Sequence, residues 1–220
     1  SCDTYFYEIA RKLGVDRLKI TALKFGLGEK VLNKTYSNEK KGLIPNTQWK
    51  KDNLGKGWVI GETLITGIGQ GYMQTTPLQL CLMTAQLANG GYKINPKITV
   101  NENDETLEDV KYIIEKNSQF AKEIKSGIIE ASEQLLNFIK EKKHEPLYKN
   151  PENVKFILNA MFASTNEVRG TSYRSRIENP KYQFAGKTGT SQVKRITKKD
   201  RLLDRKISEI PYNERDHALY

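Results

Sequence analysis

One short stretch constrains the fold of this chain more than any other: Thr75-Thr76-Pro77-Leu78-Gln79. A threonine hydroxyl accepts from the N–H three residues on, a glutamine reaches back to the N-cap N–H, and proline loses nothing at the first helical position. The stretch predicts a helix with Thr76 as N-cap. Leu80, Leu82, Met83, Ala85 and Leu87 make that helix apolar nearly all round, which predicts a buried central element, with Cys81 as a small core residue. Asn89-Gly90-Gly91 is expected to stop it. Just before it, Gly67-Ile68-Gly69-Gln70-Gly71 reads as a glycine-spaced loop.

Upstream, Asp3 is expected to cap a helix whose apolar face is Phe6, Ile9, Ala10 and Leu13, ended by Gly14 in the left-handed position. Asp16 is expected to start a second helix with Leu18, Ala22 and Phe25 inward, closed by Gly26. Residues 33–58 are polar, rich in Lys and Asn, and read as a long surface excursion around Pro45. Residues 101–116 are acidic and irregular, whereas 118–142 show helical periodicity through Phe120, Ile124, Ile128, Ala131 and Leu135. After breaks at Pro146 and Pro151, residues 154–163 predict another helix, carrying Phe156, Ile157, Ala160 and Met161. Residues 182–193 predict a strand, 194–215 a charged connection, and His217-Ala218-Leu219-Tyr220 the first residues of another strand.

The chain has 220 residues, enough for one domain with a core of its own, and it opens at Ser1 and stops at Tyr220 in a way that predicts a cut at both ends. Thirty-six Lys and Arg against 26 Asp and Glu give a net charge of +10. The basic residues are scattered, and the one denser run, 194–206, has no interleaved aromatic residues, which argues against a nucleic-acid platform. No apolar run has the length of a membrane span, so any anchor is expected upstream. His144 and His217 show no metal-ligand spacing.

Two motifs carry chemistry: Ser1-Cys2-Asp3 at a helix start, and Lys187-Thr188-Gly189-Thr190 on a strand. Acyl transfer needs an activated serine, a proton shuttle and an oxyanion hole. A lysine ammonium eases deprotonation of a nearby hydroxyl, a strand glycine lets a substrate backbone lie close, and a threonine hydroxyl can bind a carboxylate. Lys-Thr-Gly is the strand motif of penicillin-binding proteins and class A β-lactamases, which pair it with a Ser-x-x-Lys nucleophile. Ser164-Thr165-Asn166 also fits a Ser-x-Asn pattern but reads as a helix end. Ser37-Asn38-Glu39-Lys40 and Ser191-Gln192-Val193-Lys194 match Ser-x-x-Lys by spelling alone: the first lies in the polar excursion, the second on the strand, where alternation denies the one-turn helical geometry the pair requires.

Together, Ser1-Cys2-Asp3-Thr4-Tyr5-Phe6-Tyr7, the run GIGQGYMQTTPLQ at 67–79, AGKTGTSQV at 185–193 and ERDHALY at 214–220 resemble the class B penicillin-binding proteins of the elongation type. The resemblance runs along nearly the whole chain and is weakest at 33–46 and 101–150. It implies an α/β penicillin-binding, β-lactamase/transpeptidase-like fold, here truncated: residues 1–220 as a partial transpeptidase domain, from the second motif to the strand after the third, made of a mostly helical subdomain and part of an antiparallel sheet. It further implies a serine-type D,D-transpeptidase that acts on D-alanyl-D-alanine stem peptides, binds β-lactams, works with membrane proteins of the elongation machinery at the periplasmic face of the inner membrane, and does not act on nucleic acid. Ser1 would relay protons, Asp3 would contact the substrate peptide, Lys187 would tune the field beside Ser1, Thr188 would hold a carboxylate, Gly189 would give room, and the Thr190 N–H would form half of an oxyanion hole.

The Ser-x-x-Lys nucleophile of that family precedes the second motif, so this chain alone is expected to be inactive, with its strand edges unpaired and its solubility marginal. The resemblance implies that no cofactor is required for catalysis. Some members hold a structural zinc through two aspartates and a histidine upstream plus the cysteine at the position of Cys2; the alternative for Cys2 is a buried small residue. One thiolate is no tetrahedral site, so this chain alone should not hold zinc well. Two other readings remain open: a non-catalytic remnant of a split gene that only binds partners, and a β-lactamase, which the glycine loop, the capped helix and the long spacing from Ser1 to Lys187 disfavour.

Overall fold

The structure, a computed structural model, describes residues 2–32, 36–98, 145–193, 202–203 and 206–220. The expected helix at 118–142, most of the basic run 194–206, His144 and Ser1 lie outside the described residues. Two compact units are present, 1–159 and 160–220.

In the first unit, α1 (Asp3–Leu13) and α2 (Val15–Lys24) are separated by a single residue. Gly14 makes that corner with φ 81° and ψ 149°, an extended conformation with positive φ rather than the left-handed cap expected from the sequence. Asp3 is the first residue of α1 and Cys2 its N-cap, one position before the expected cap. Of the expected α1 face, Ala10 is buried and Leu13 half-buried, while Phe6 and Ile9 remain exposed.

Residues 33–58 are not simply a surface excursion. Leu43 pairs its backbone with Gln74, Ile44 and Pro45 are buried, and α3 (Thr47–Leu54) follows. The Asn46 side chain caps α3 by accepting from the Trp49 N–H at 2.9 Å, and the Asp16 carboxylate accepts from the Thr47 N–H and hydroxyl, tying α3 to the start of α2. A fourth helix, α4 (Ile60–Gly67), runs into the glycine loop. It closes by the 6→1 and 5→2 pattern: Gln70 N–H to Ile65 C=O and Gly69 N–H to Thr66 C=O, both 3.0 Å, with Gly69 at φ 77°. The same closure ends α2 at Gly26.

Between α3 and α4 lies an ion pair of the buried Lys50 with the half-buried Glu62. Glu62 also accepts from the Val59 N–H, and Trp58 lies beside the ammonium and donates to the Thr63 hydroxyl at 2.8 Å. Burial pushes the Glu62 carboxyl upward, but the Lys50 ammonium, the Val59 N–H and the Tyr72 hydroxyl together bring it below the ordinary carboxylate range.

The capped helix α5 (Pro77–Ala88) starts as its sequence dictates: Gln79 N–H donates to Thr76 Oγ1 at 3.2 Å and Thr76 N–H to Gln79 Oε1 at 3.0 Å. Its buried face, however, is Gln79, Leu82 and Gln86, and Cys81 is exposed. The expectation of a core cysteine on an all-round buried helix fails because the neighbouring segments are loops whose carbonyls need donors, and amides supply them. Gln79 Nε2 donates to Glu29 C=O at 2.6 Å and Lys41 C=O at 2.8 Å. Gln86 Nε2 donates to Phe25 C=O, and its Oε1 accepts from the Ile94 N–H, both at 3.1 Å. Residues 145–148 return to 91–93, where Tyr148 donates to Tyr92 at 2.8 Å and their rings meet edge to face.

In the second unit, α6, whose full extent is Pro151–Asn166, ends as Ser164-Thr165-Asn166, the helix end expected from the sequence. Strands β1 (Gly189–Ser191) and β2 (His217–Leu219) pair antiparallel, with Thr190 opposite Ala218. The expected strand at 182–193 is thus confined to three residues, and Tyr182 sits in a short 3₁₀ turn. The ladder extends only as far as β2 offers partners, and each strand has a free edge among the described residues.

Two outcomes follow. Gln79→Ala leaves the Glu29 and Lys41 carbonyls without donors and should cost about 2–4 kcal/mol in denaturant unfolding. For Glu62, the folded pKa lies below the unfolded one, so its contribution is present above the ordinary carboxylate range and is lost as pH falls through the folded value. Thermal melts from pH 7 to pH 3 should show that loss, and Lys50→Met, which leaves the half-buried Glu62 carboxylate without its cation, should cost about 1–3 kcal/mol at pH 7.

Candidate active site

The second-motif segment lies at the start of α1. Cys2 is exposed and its side chain makes no capping bond, and Asp3 is exposed in the first helical turn. Cys2 is therefore not the buried small residue that is one reading of the sequence. As a metal ligand it has no company: among the described residues no three His, Cys, Asp or Glu side chains gather, and one exposed thiol does not fit a tetrahedral zinc.

Helix α1 is held by α4. Gly67 packs directly on Ala10, and a Cβ added at Gly67 would drive into the Ala10 methyl and lie 3.3 Å from the Phe6 carbonyl oxygen. The glycine loop thus begins with a residue whose missing side chain sets how closely α4 approaches the motif-bearing helix.

The third motif lies in the second unit. Gly189 and Thr190 are exposed on β1, paired with Leu219 and Ala218, and Thr188 precedes them. The Lys187 ammonium folds onto its neighbour, donating to Thr188 C=O at 2.7 Å and Thr188 Oγ1 at 3.3 Å. Its chain entry is fixed from behind: Asn166 Nδ2 donates to Phe184 C=O at 2.9 Å, and Gly186 N–H donates to Met161 C=O at 3.2 Å. Tyr220, itself exposed, packs against this region. Its ring meets Phe184 edge to face at 5.5 Å, its hydroxyl bonds the fully buried Thr165 Oγ1, and it leaves no room for a Cβ at Gly186. His217 is the β2 residue opposite Ser191.

Sequence reasoning found the motif residues but not their supports: Gly186, Thr165, Asn166 and Tyr220. The only available signal was Gly186 itself, a glycine directly before a lysine-threonine-glycine strand. Neither serine of the two Ser-x-x-Lys spellings lies on a helix. Ser37 lies in a turn, where Glu39 instead accepts the Val31 and Leu32 N–H groups, and Ser191 is the last residue of β1.

The first unit thus carries a helix start bearing Cys2 and Asp3, a glycine-closed loop and a capped helix, and the second unit carries a Lys-Thr-Gly strand. The chain matches the penicillin binding protein transpeptidase domain over residues 1–208, and it belongs to that family. It is 31% identical over 220 residues to the peptidoglycan D,D-transpeptidase MrdA of Acinetobacter baumannii, covering all of this chain and 28% of that protein. To MrdA of Salmonella typhimurium it is 30% identical over 223 residues, again over the whole chain and 30% of the relative. The chain thus spans less than a third of the length of these curated relatives.

Among solved structures it resembles Pseudomonas aeruginosa PBP2 in complex with WCK 5153, with a TM-score of 0.59 and 32% identity over 87% of this chain and 36% of that one. It also shares the fold of Helicobacter pylori PBP2 in its complex with MreC, with a TM-score of 0.66 and 24% identity over 98% of this chain and 30% of that one. The penicillin-binding transpeptidase fold expected from the sequence is therefore the fold observed.

Gly186→Ala should loosen the third-motif strand without unfolding α5. Hydrogen exchange at Gly189, Thr190 and Ser191 should quicken at least tenfold while amides of α5 keep their protection.

Proposed function

We propose that this chain supplies the acid–base and carboxylate-binding half of a serine-type peptidoglycan D,D-transpeptidase of the elongation class. The observation that carries the reading is the Lys187-Thr188-Gly189-Thr190 run, with Gly189 and Thr190 on an exposed antiparallel strand anchored from behind, in a chain that belongs to this family. In this reading a serine of a Ser-x-x-Lys helix attacks the carbonyl of the penultimate D-alanine, D-alanine leaves, and a neighbouring amine takes the acyl group. Ser1 relays the proton between nucleophile and leaving group, and Asp3 contacts the stem peptide. Lys187 supplies positive charge beside the reacting hydroxyls, Thr188 Oγ1 binds the terminal carboxylate of the stem peptide or of a β-lactam, and Gly189 lets the substrate backbone approach. The Thr190 N–H contributes half of the oxyanion hole. No metal or cofactor takes part in these steps.

The relatives named above are peptidoglycan D,D-transpeptidases rather than β-lactamases, which supports the transfer reading over hydrolysis. No helix among the described residues is long and apolar enough to cross a membrane. A periplasmic site of action, with the anchor on another segment, belongs to the proposal, as does docking to membrane proteins of the elongation machinery. The Helicobacter pylori protein of the same fold was solved with MreC.

Fluorescent penicillin tests the division of labour. The 220-residue chain by itself should take no covalent label, and an acylated serine anywhere in it would overturn the assignment of the nucleophile to another segment. The full-length product of the gene that encodes the chain should label, and Thr188→Val, which removes one hydrogen bond to a charged group, should slow acylation by roughly tenfold to a hundredfold.

A further inference from the structure

We infer that Gly67 is a positioning residue: by admitting Ala10 into direct contact, it sets where α1 presents Cys2 and Asp3 of the second motif. The inference rests on the proposed acyl-transfer reading and deepens it. Three observations on one face carry it. Gly67 is the last residue of α4 and seats against Ala10, itself buried one helical turn beyond Phe6, whose carbonyl oxygen lies 3.3 Å from a Cβ built at Gly67. Both partners are backbone-borne groups of α1, so no flexible side chain can swing away to make room. Finally, the loop after Gly67 is locked by the Gly69 closure, and Glu62, one α4 turn and a half earlier, is locked to Lys50 and Val59. Helix α4 is thus fixed at both ends, and an added methyl must displace α1.

Two carbons need about 3.5–4.0 Å between centres, so Gly67→Ala must part the helices by roughly 1 Å. That shift acts on α1 two turns from its N-terminus, and an error of that size in a reacting geometry costs on the order of a hundredfold in rate. Asp3, which contacts the stem peptide, moves with α1, but the carboxylate of a β-lactam probe is bound through Thr188 in the other unit, so the affinity for the probe has no reason to change. The signature is therefore a fall in the acylation rate constant at unchanged apparent affinity, a split that general destabilisation does not produce. Ala10→Gly deletes the colliding methyl, so the exchange Gly67→Ala with Ala10→Gly restores one methyl at the crossing.

The test measures fluorescent-penicillin acylation at saturating and subsaturating concentrations in the full-length gene product. Gly67→Ala should lower the rate constant tenfold to a hundredfold at constant affinity, and the exchange variant should recover to within about threefold of the unaltered protein. An unchanged rate constant in Gly67→Ala, or a loss that Ala10→Gly does not repair, overturns the inference. If Gly67→Ala does not fold, the exchange variant is decisive: folded and fast supports the inference, folded and slow sinks it. If the unaltered protein takes no label, the acyl-transfer reading fails by itself. The inference is then read from a fluorine label on the exposed Cys2 in a Cys81→Ser background of this chain. Its resonance should move in Gly67→Ala and return in the exchange variant, and an unmoved resonance refutes the positioning.

Discussion

The first unit depends on two buried amides. Gln79 and Gln86 lie two turns apart on α5, and both side chains are almost wholly buried. A buried backbone carbonyl without a donor is costly, and the segments around α5 are irregular, so their carbonyls have no ladder to satisfy them. The two amides substitute for a sheet edge: each reaches a loop carbonyl far away in sequence and holds it against the helix. Gln79 does this while its Oε1 accepts from the Thr76 N–H, so the bond that starts the helix and the bonds that anchor the loops share one side chain. The closeness is tight enough that Gly42, at φ 66°, could not carry a Cβ without meeting Gln79 Oε1 at 3.0 Å.

From that frame the rest of the unit is placed in order. Leu43 pairs with Gln74 just before the capped helix, which brings Ile44 and Pro45 inward and delivers Asn46 to cap α3. Helix α3 carries Lys50 to Glu62, α4 carries Gly67 to Ala10, and α1 ends this chain of contacts at its second-motif segment. The apolar residues assist but do not dominate: the core is a scatter of Ala10, Val15, Val31, Ile44, Leu82, Tyr92, Leu147 and Val154.

That balance explains what could be read from the sequence. The start of α5 was legible because Thr76, Pro77 and Gln79 act locally, and the glycine stops at Gly26 and Gly90 were legible for the same reason. The pairing segment His217-Ala218-Leu219 was also expected, as the start of the strand that the family resemblance puts after the charged connection. What failed were inferences of burial from apolar content. Cys81, Phe6 and Ile9 are exposed, Phe156 is 72% exposed, and Lys50 is buried, because burial here follows hydrogen-bond and ion-pair partners at long sequence separation, which periodicity does not encode. Helix α3 was missed because its polar composition resembled a loop, although Asn46 and Gly55 mark both its ends, and the more apolar α4 was not singled out in the sequence. Of the candidate site, the residue types and their order were legible, and the supports behind them were not.

Those supports share one physical device. At Gly67, Gly170 and Gly186 the absent side chain is occupied by something else: the Ala10 methyl, the Ala163 and Ser164 carbonyls, and the Tyr220 ring. A larger residue at Gly67 or Gly170 would push apart two pieces of backbone, and one at Gly186 would run into the Tyr220 ring. Catalytic motifs benefit from this arrangement because backbone-to-backbone contact leaves little slack, whereas a contact through a long side chain can be relieved by a rotamer change. The motif residues Asp3, Lys187 and Thr190 are exposed, and the rigidity sits one layer behind them. Polar satisfaction by Gln79, Gln86, Asn166 and Thr165 fixes the scaffold, and glycine contacts then fix the motifs on it.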